Sequence, residues 1–169
     1  MLPYWMAGAV KTGFDMIQQK RQAADPPNAR RHMPFGALYE EALRGAGYGH
    51  ARVSTEDGGG TATIPFDGRR YLVTAALMEG VVHIRVKGPH RFRPGGVPDV
   101  LIAFVDKQNR ELTGYSFGLT RPDSPQAFFA QTSLPLGEFG PSVLRDILRE
   151  LLGSAAAFDY AMESNGFVG

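Results

Sequence analysis

The sequence of 169 residues contains no cysteine. This excludes disulfide bridges, a thiolate nucleophile and cysteine-ligated metal, and it fits a reducing cytoplasm. No apolar run approaches the roughly 20 residues that a bilayer-spanning helix needs. Lys11 also interrupts the N-terminal apolar stretch early. We therefore expect a cytoplasmic protein that has neither a signal peptide nor a transmembrane helix.

The chain also has little net charge. It contains 18 Lys and Arg against 17 Asp and Glu, for a formal net charge of +1. A global electrostatic field therefore does not direct it to nucleic acid or to a membrane, and any such function must rest on a local cluster. Its hydrophobic share of 43% is ordinary for a globular protein. Length and composition together predict one α+β domain with a short appendage.

Catalytic and metal-binding motifs are missing as well. The four histidines form neither an H-x₃-H nor an H-E-x-x-H pattern, so their spacing predicts no zinc site. Ser116 and Ser133 lack a G-x-S-x-G context. The glycine-rich run of residues 57–61 lacks the Lys-Ser/Thr pair of a phosphate-binding loop. We predict no catalytic residues, no metal and no cofactor, and hence a protein that is not an enzyme.

The clearest positive signal is a long amphipathic helix near the C-terminus. Pro141 suits its first turn, and Asn165-Gly166 suits its end. Apolar pairs recur every four residues, which gives a stripe that winds slowly around the helix, as suits packing across a twisted sheet. These pairs are Val143 and Leu144, Ile147 and Leu148, Leu151 and Leu152, and Ala155 and Ala156.

The middle of the chain predicts antiparallel strands. Asp67-Gly68 between two β-like runs is among the strongest short signals for a hairpin, and Glu79-Gly80 provides the next turn. The expected meander has three strands, at residues 61–66, 70–78 and 81–87, after a helix over 34–45 and a glycine-rich loop over 55–60. In the third strand the apolar residues alternate with His83, Arg85 and Lys87, which predicts one packed face and one solvated face.

The apolar run at residues 100–105 suits either a buried strand or a buried helix. We choose a helix over residues 98–109, because Pro98 and Asp99 suit a helix start and the following residues are good helix formers. A hairpin of strands over 112–119 and 128–134 should follow. The expected order is thus helix, three-stranded meander, helix, β-hairpin and a long C-terminal helix packed on the sheet.

The N-terminus reads as a separate amphipathic arm over residues 1–24, joined by a linker over 25–33 to a domain over 34–166. Trp5, Phe14 and Ile17 share the apolar face of this predicted helix. The arm could pack on its own domain, on a second subunit or on a membrane surface. We favour protein–protein packing over the membrane, because the arm has few basic residues.

A basic segment follows the meander. Arg85, Lys87, Arg91 and Arg93 lie close together in sequence, with Phe92 among them. Cations beside an aromatic residue can bind phosphate and stack on a base. The commoner interpretation is a solvated strand face that protects a sheet edge. Both interpretations remain open.

The order of elements resembles the YbjN family and the related fold of type III secretion chaperones. The resemblance rests on the helix end at residues 106–110 before 114–117, on Leu134-Pro135-Leu136, and on the helix over 143–162. Together they cover roughly residues 34–166. It implies a small, often dimeric, protein-binding or regulatory domain without an enzymatic centre.

We accordingly expect a non-enzymatic, chaperone-like or regulatory domain that binds another polypeptide and forms a homodimer, with Trp5, Phe14 and Ile17 at the partner contact. The alternative is a module for polyanions or nucleic acid that uses residues 83–93, with Arg85, Lys87, Arg91 and Arg93 as ligands.

Overall fold

The computed structural model describes residues 33–93, 96–111, 113–121 and 125–167. The predicted N-terminal arm, including Trp5, Phe14 and Ile17, lies outside these residues. The described chain forms a six-stranded antiparallel sheet and three α-helices, which confirms the α+β class. In chain order the elements are α1 (Phe35–Leu43), β1 (Arg52–Glu56), β2 (Gly59–Phe66), β3 (Arg69–Met78), β4 (Val81–Lys87), α2 (Asp99–Glu111), β5 (Ser116–Leu119), β6 (Phe128–Pro135) and α3 (Pro141–Ser164).

Two tight turns join β2 to β3 and β3 to β4. Asp67 and Gly68 have φ values of 48° and 74°, and Glu79 and Gly80 have φ values of 50° and 79°. Two successive residues with positive φ are the geometry of a type I′ turn, whose twist matches that of the flanking strands. Both predicted turns are therefore confirmed.

The meander has one strand more than the three that were expected. Strand β1 pairs with β2 from Arg52 opposite Thr63 to Glu56 opposite Gly59. The expected glycine-rich loop over residues 55–60 is wrong, because only Asp57 and Gly58 form the turn. The sequence did not predict β1, because β1 is a short edge strand. Four of its five residues are exposed, so it lacks the alternation of apolar and polar residues that marks a half-buried strand.

Strands β5 and β6 complete the sheet in the order β1-β2-β3-β4-β6-β5. Strand β6 pairs with β4 along its whole length, and β5 forms the far edge. Strand β5 begins at Ser116, later than expected. The Asn109 side chain at the end of α2 donates to the carbonyl of Phe117 (2.7 Å) and accepts from its N–H (2.8 Å). This amide thus occupies the free edge of β5, as a further strand would.

The helix boundaries agree closely with the sequence prediction. Helix α2 confirms the choice of helix for residues 100–105, and α3 has Pro141 in its first turn and Asn165 as its C-cap. Helix α1 differs at its end, since a π-helical segment, Arg44–Tyr48, follows it where the expected helix stopped at residue 45. Gly47, with φ of 97°, breaks the helical geometry inside that segment.

All three helices pack on one face of the sheet. From α1, the Tyr39 hydroxyl donates to the carbonyl of Val73 on β3 (3.2 Å). The ring of Phe158 on α3 stacks on Phe128 of β6, with centroids 4.0 Å apart and planes 9° apart. Phe104 of α2 also contacts Phe158, with ring centroids 5.7 Å apart. The hydrophobic core therefore lies between the helix layer and this face of the sheet.

Candidate functional site

The face of the sheet opposite the helices is here called the open face. Strand β4 shows the contrast, because Val82, Ile84 and Val86 are fully buried under the helices. The residues between them, which include His83 and Arg85, point the other way and are only partly buried. No described helix packs against this second face, so the described residues leave this side of the six-stranded sheet without a covering layer.

The strand register arranges the open face in rows. One row runs across all six strands through Arg52, Thr63, Leu72, Lys87, Phe129 and Gly118. The next row runs through Ser54, Thr61, Thr74, Arg85, Gln131 and Ser116. Neighbouring strands are about 4.8 Å apart, so directly opposed side chains touch. The centre of the open face therefore contains two cations, Arg85 and Lys87, surrounded by hydroxyl, small and apolar side chains.

Arg85 is held in place by two neighbours on β6. Its Nε donates to Oε1 of Gln131 (2.9 Å), and its guanidinium carbon lies 4.3 Å from the centroid of the Phe129 ring. The ring in turn lies over Gly118 of β5, where a Cβ atom would come within 2.6 Å of the Phe129 Cζ. A cation over an aromatic face is stabilised electrostatically and keeps donors free for a ligand. These contacts hold the Arg85 guanidinium in one orientation before any ligand binds.

Lys87 lies next to Arg85 on the same face. Burial lowers the pKa of the Lys87 amine, and the positive charges of Arg91 and Arg85 lower it further. Within the described part of the chain, Arg91 donates to two backbone carbonyls, those of Gly88 (2.6 Å) and His90 (3.0 Å). Among the described carboxylates, none forms a salt bridge with these three cations. Three of the four predicted basic residues therefore form one unneutralised cluster.

The fourth basic residue, Arg93, is exposed farther along the same connection. Phe92, which precedes it, is only 8% exposed and forms an isolated β-bridge with Gln126. The aromatic residue that the sequence placed among the cations therefore belongs to the core, and its ring is not open to a base.

His83 and Ser133 form a hydrogen-bonded pair on the open face, with Oγ and Nδ1 2.8 Å apart. Burial, followed by the charge of Arg85, lowers the pKa of the His83 imidazole, which is therefore neutral at pH 7. A hydrolytic triad needs a carboxylate that orients the imidazole. No described carboxylate contacts His83, so the pair offers hydrogen bonds to a ligand rather than an activated nucleophile.

The charges are distributed unevenly between the two sides of the domain. On the strand positions of the open face, Arg52, Arg70, Arg85 and Lys87 are basic, and Glu56 is the one acidic residue. The other described Asp and Glu residues lie on the helices, in the turn after β6 or in hairpin turns. The open face is therefore locally basic although the chain as a whole is nearly neutral.

A second polar cluster lies under the helices, around Asp159 of α3. The Tyr71 hydroxyl donates to Oδ2 of Asp159 (2.7 Å), and His90 Nε2 lies 3.6 Å from Oδ1 and 3.9 Å from Oε1 of Glu163. Arg69 forms an ion pair with Glu163. These contacts tie β3 and the segment after β4 to the end of α3.

The Asp159 carboxyl is 1% exposed, and its Oδ1 has no hydrogen-bond partner among the described residues. Burial raises its pKa above the ordinary value of 3.8, against the opposing effects of Tyr71, His90 and Arg69. Burial also raises the pKa of the Tyr71 hydroxyl, which therefore stays protonated at neutral pH. Perturbed carboxylates often mark active sites. This one is closed to solvent and lacks an ionised nucleophile, so we interpret it as a structural cluster.

Sequence reasoning missed this cluster, although a signal was present. The four-residue step of the apolar stripe continues from Ala155 to Asp159, which places a carboxylate on the buried side of α3. A buried carboxylate requires partners, but the sequence does not say that they are Tyr71 and His90.

Two further observations limit the chemistry of the described residues. In residues 33–167, apart from the positions that are not described, no three His, Asp or Glu side chains are grouped as metal ligands. Nor does any helix in that part of the chain combine the length and the apolarity required to cross a bilayer.

Comparison with protein-family models and with curated protein sequences gives no match. Comparison with solved structures does give matches. A chain of the HopA1–SchA chaperone–effector complex superposes with a TM-score of 0.51 at 14% identity, over 73% of this chain and 91% of that chain. YbjN from E. coli, described as a putative transcription regulator, superposes with a TM-score of 0.54 at 11% identity, over 76% and 91%. The chain thus shares the fold of YbjN and of the matched chain of the chaperone–effector complex.

Proposed function

We propose that this protein is a non-enzymatic, chaperone-like or regulatory domain that binds another polypeptide on the open face of its sheet. The observation that carries the proposal is the open face itself. It leaves Leu72 and Ala76 partly exposed and Met78 51% exposed beside polar groups, without a covering layer among the described residues. Contiguous surfaces of this kind mark interaction sites. The shared fold with a chaperone–effector complex supports the proposal.

The composition of the open face suits a polypeptide better than a small molecule. The face is broad, whereas small-molecule sites are concave and enclose their ligand. Its rows alternate hydroxyl groups with apolar and cationic side chains, which can contact both the side chains and the backbone of a bound segment. A central anchor such as Arg85 is typical of residues that dominate protein interfaces.

The binding face can be tested with one small residue. Ala76 lies on the open face opposite His83, and Ala157 is exposed on α3 in the helix layer. Ala76→Gln should block binding by bulk without changing charge, and Ala157→Gln is its matched control. Immobilised protein is used to capture partners from a lysate of the source organism, and the identified partner is then titrated in purified form.

We expect the purified partner to bind wild type and Ala157→Gln equally and Ala76→Gln at least tenfold more weakly. Equal affinity of both variants would contradict the assignment of the open face. Partners that are captured only while nucleic acid is intact would favour the alternative function below.

We extend the proposal to a homodimer in which residues 1–24 of one chain contact a second copy through Trp5, Phe14 and Ile17. The predicted apolar stripe of this arm needs a surface, and a subunit partner provides one at high effective concentration. Deletion of residues 1–24 should leave the domain folded and abolish or weaken the dimer. Light scattering at matched concentrations measures this.

Trp5→Ser should reproduce much of that effect, because buried aromatic residues dominate many interfaces. Tyr160→Ser is the control, since Tyr160 is 69% exposed on α3. An unchanged mass for the truncated protein would refute the proposed contact. Lipid-vesicle binding that is lost on truncation would favour the membrane surface as the target of the arm.

The alternative is a polyanion-binding module, and the unneutralised cluster of Arg85, Lys87 and Arg91 is the observation that favours it. Its affinity for single-stranded DNA should fall steeply as salt rises, because counterions are released on binding. Replacing Arg85, Lys87, Arg91 and Arg93 by Ser should abolish retention on DNA at low salt. If the wild type is not retained either, this alternative is excluded.

A further inference from the structure

We infer that the open face selects an acidic segment of the bound polypeptide, and that Arg85 and Lys87 are the residues that select it. The inference rests on the proposed polypeptide binding and adds the chemistry of the partner. It follows from the position of the two cations and from their lack of counter-ions among the described residues.

Position is the first argument. Arg85 and Lys87 lie on β4, an inner strand with three strands (β3, β2 and β1) on one side and two (β6 and β5) on the other. They are two residues apart on one strand, so their attachment points are separated by about 6.8 Å. That spacing equals the separation of alternate residues in an extended chain. An extended segment with Glu or Asp at alternate positions therefore presents its carboxylates in register with both cations.

The absence of counter-ions is the second argument. The guanidinium of Arg85 is hydrogen-bonded to an uncharged amide, and Lys87 lies in the repulsive field of Arg85 and Arg91. Burial lowers the pKa of Arg85, which is the sign of a cation that has lost part of its hydration without gaining an anion. A carboxylate that binds here would relieve both effects, whereas a basic or neutral segment would relieve neither.

The N-terminal segment of this chain does not supply that carboxylate. Residues 1–32 contain five basic and two acidic residues, so the segment carries the same sign of charge as the centre of the open face. Like-charge juxtaposition disfavours this contact. The occupant is therefore an acidic polypeptide rather than the arm of this protein.

The accessibility of the aromatic rings favours a polypeptide over single-stranded nucleic acid. Binding of single strands relies on exposed aromatic faces on which bases stack. Phe92 is 8% exposed and Phe129 is 9% exposed, and Arg85 covers the ring of Phe129. The cluster can therefore contact anionic groups but offers no free ring of its own to a base.

The experiment compares three labelled peptides that differ only in charge: Glu alternating with Thr, Gln alternating with Thr, and Lys alternating with Thr. Binding to the full-length protein is measured by fluorescence anisotropy at several salt concentrations. A single-stranded DNA of the same net charge as the Glu peptide competes with it in a parallel series.

We expect the Glu peptide to bind on the order of tenfold more tightly than the Gln peptide at low salt, with the difference shrinking as salt screens the charges. Lys87→Gln should remove most of the difference, and Arg85→Ser with Lys87→Ser should remove all of it. Lys107→Ser with Arg110→Ser, on exposed positions of α2, is the matched control and should change nothing. The single variant remains informative if the loss of Arg85 perturbs the fold.

Three results would overturn the inference. If Glu and Gln peptides bind equally, and Ala76→Gln weakens both, polypeptide binding stands but charge selection is refuted. If the DNA displaces the Glu peptide at far lower concentration than unlabelled Glu peptide does, the cluster serves polyanions instead. If no peptide of any charge binds, charge selection is refuted, while the proposed function is still decided by the binding of the purified partner to Ala76→Gln and Ala157→Gln.

Discussion

The two faces of the sheet are formed by the same six strands, yet their side chains differ in burial and in polarity. Under the helices, residues such as Ile84 and Val73 are completely buried and belong to the hydrophobic core. On the open face, Thr74 and Arg85 alternate with them along the same strands and stay partly exposed. Side chains of the covered face should therefore determine stability, while those of the open face are available for recognition.

The largest expected effect tests the covered side. Leu148 of α3 is 0% exposed, whereas Arg149, the next residue, is exposed. Leu148→Ala should cost about 2–5 kcal/mol of the free energy of unfolding, because it removes buried surface and leaves a cavity. Arg149→Ala should cost less than about 1 kcal/mol. Denaturant titration measures both, and equal losses would show that the packed side of α3 is misassigned.

A smaller effect is expected on the open face, at the contact between Gly118 and Phe129. Gly118→Ala would push its Cβ into the Phe129 ring and displace the ring from Arg85. Overpacking of this kind costs about 1–3 kcal/mol. Gly137→Ala is the control, because a Cβ there meets nothing within 4 Å. If both variants unfold at the wild-type denaturant midpoint, the stacking of Phe129 over Gly118 is not a rigid contact.

The smallest effect concerns Asp159, where the covered face contains a charge. Because its folded pKa exceeds 3.8, Asp159 contributes stability that is complete below the unfolded pKa and is lost as pH rises through the folded pKa. His90, Arg69, Glu163 and the Tyr71 hydroxyl are the groups that face it. Asp159→Asn should therefore gain stability relative to wild type as pH rises towards neutrality.

Denaturant titrations of both proteins, from neutral pH down to the most acidic pH at which each is folded, measure that difference. A difference that stays constant, or that shifts in favour of the wild type as pH rises, would show that the contacts with His90 and Tyr71 offset or outweigh the burial of the carboxylate.

The elements that the sequence predicted correctly are those whose signal lies in neighbouring residues of the chain. The turns at Asp67-Gly68 and Glu79-Gly80 require residues that tolerate positive φ, and the period of α3 repeats over five turns. Strand β1 escaped prediction because an exposed edge strand has no buried alternation to detect. The positions of the basic residues on β4 followed from its alternating pattern, which is also local.

The remaining features depend on contacts between distant parts of the chain. Nothing in the sequence around Arg85 indicates that Gln131 and Phe129 will lie beside it, since that pairing requires β6 to insert between β4 and β5. The same holds for Tyr71 and Asp159, which are 88 residues apart. The sequence prediction grouped Phe92 with the neighbouring cations because the distant contact with Gln126 was not visible in the sequence. The β-bridge to Gln126 instead holds Phe92 in the core.

The insertion of β6 beside β4 also has a consequence for the order of folding. Strands β1 to β4 are joined by short turns, so their pairing closes only small loops and costs little chain entropy. Pairing of β6 with β4 must close a loop that contains α2 and β5, which makes it an intrinsically slower step. When only the meander has formed, Arg85 and Lys87 already lie on the sheet. Gln131 and Phe129 are not yet beside them, because β6 has not paired with β4. The binding face is therefore complete only in the fully folded protein, and a nascent chain acquires it after β6 has been synthesised.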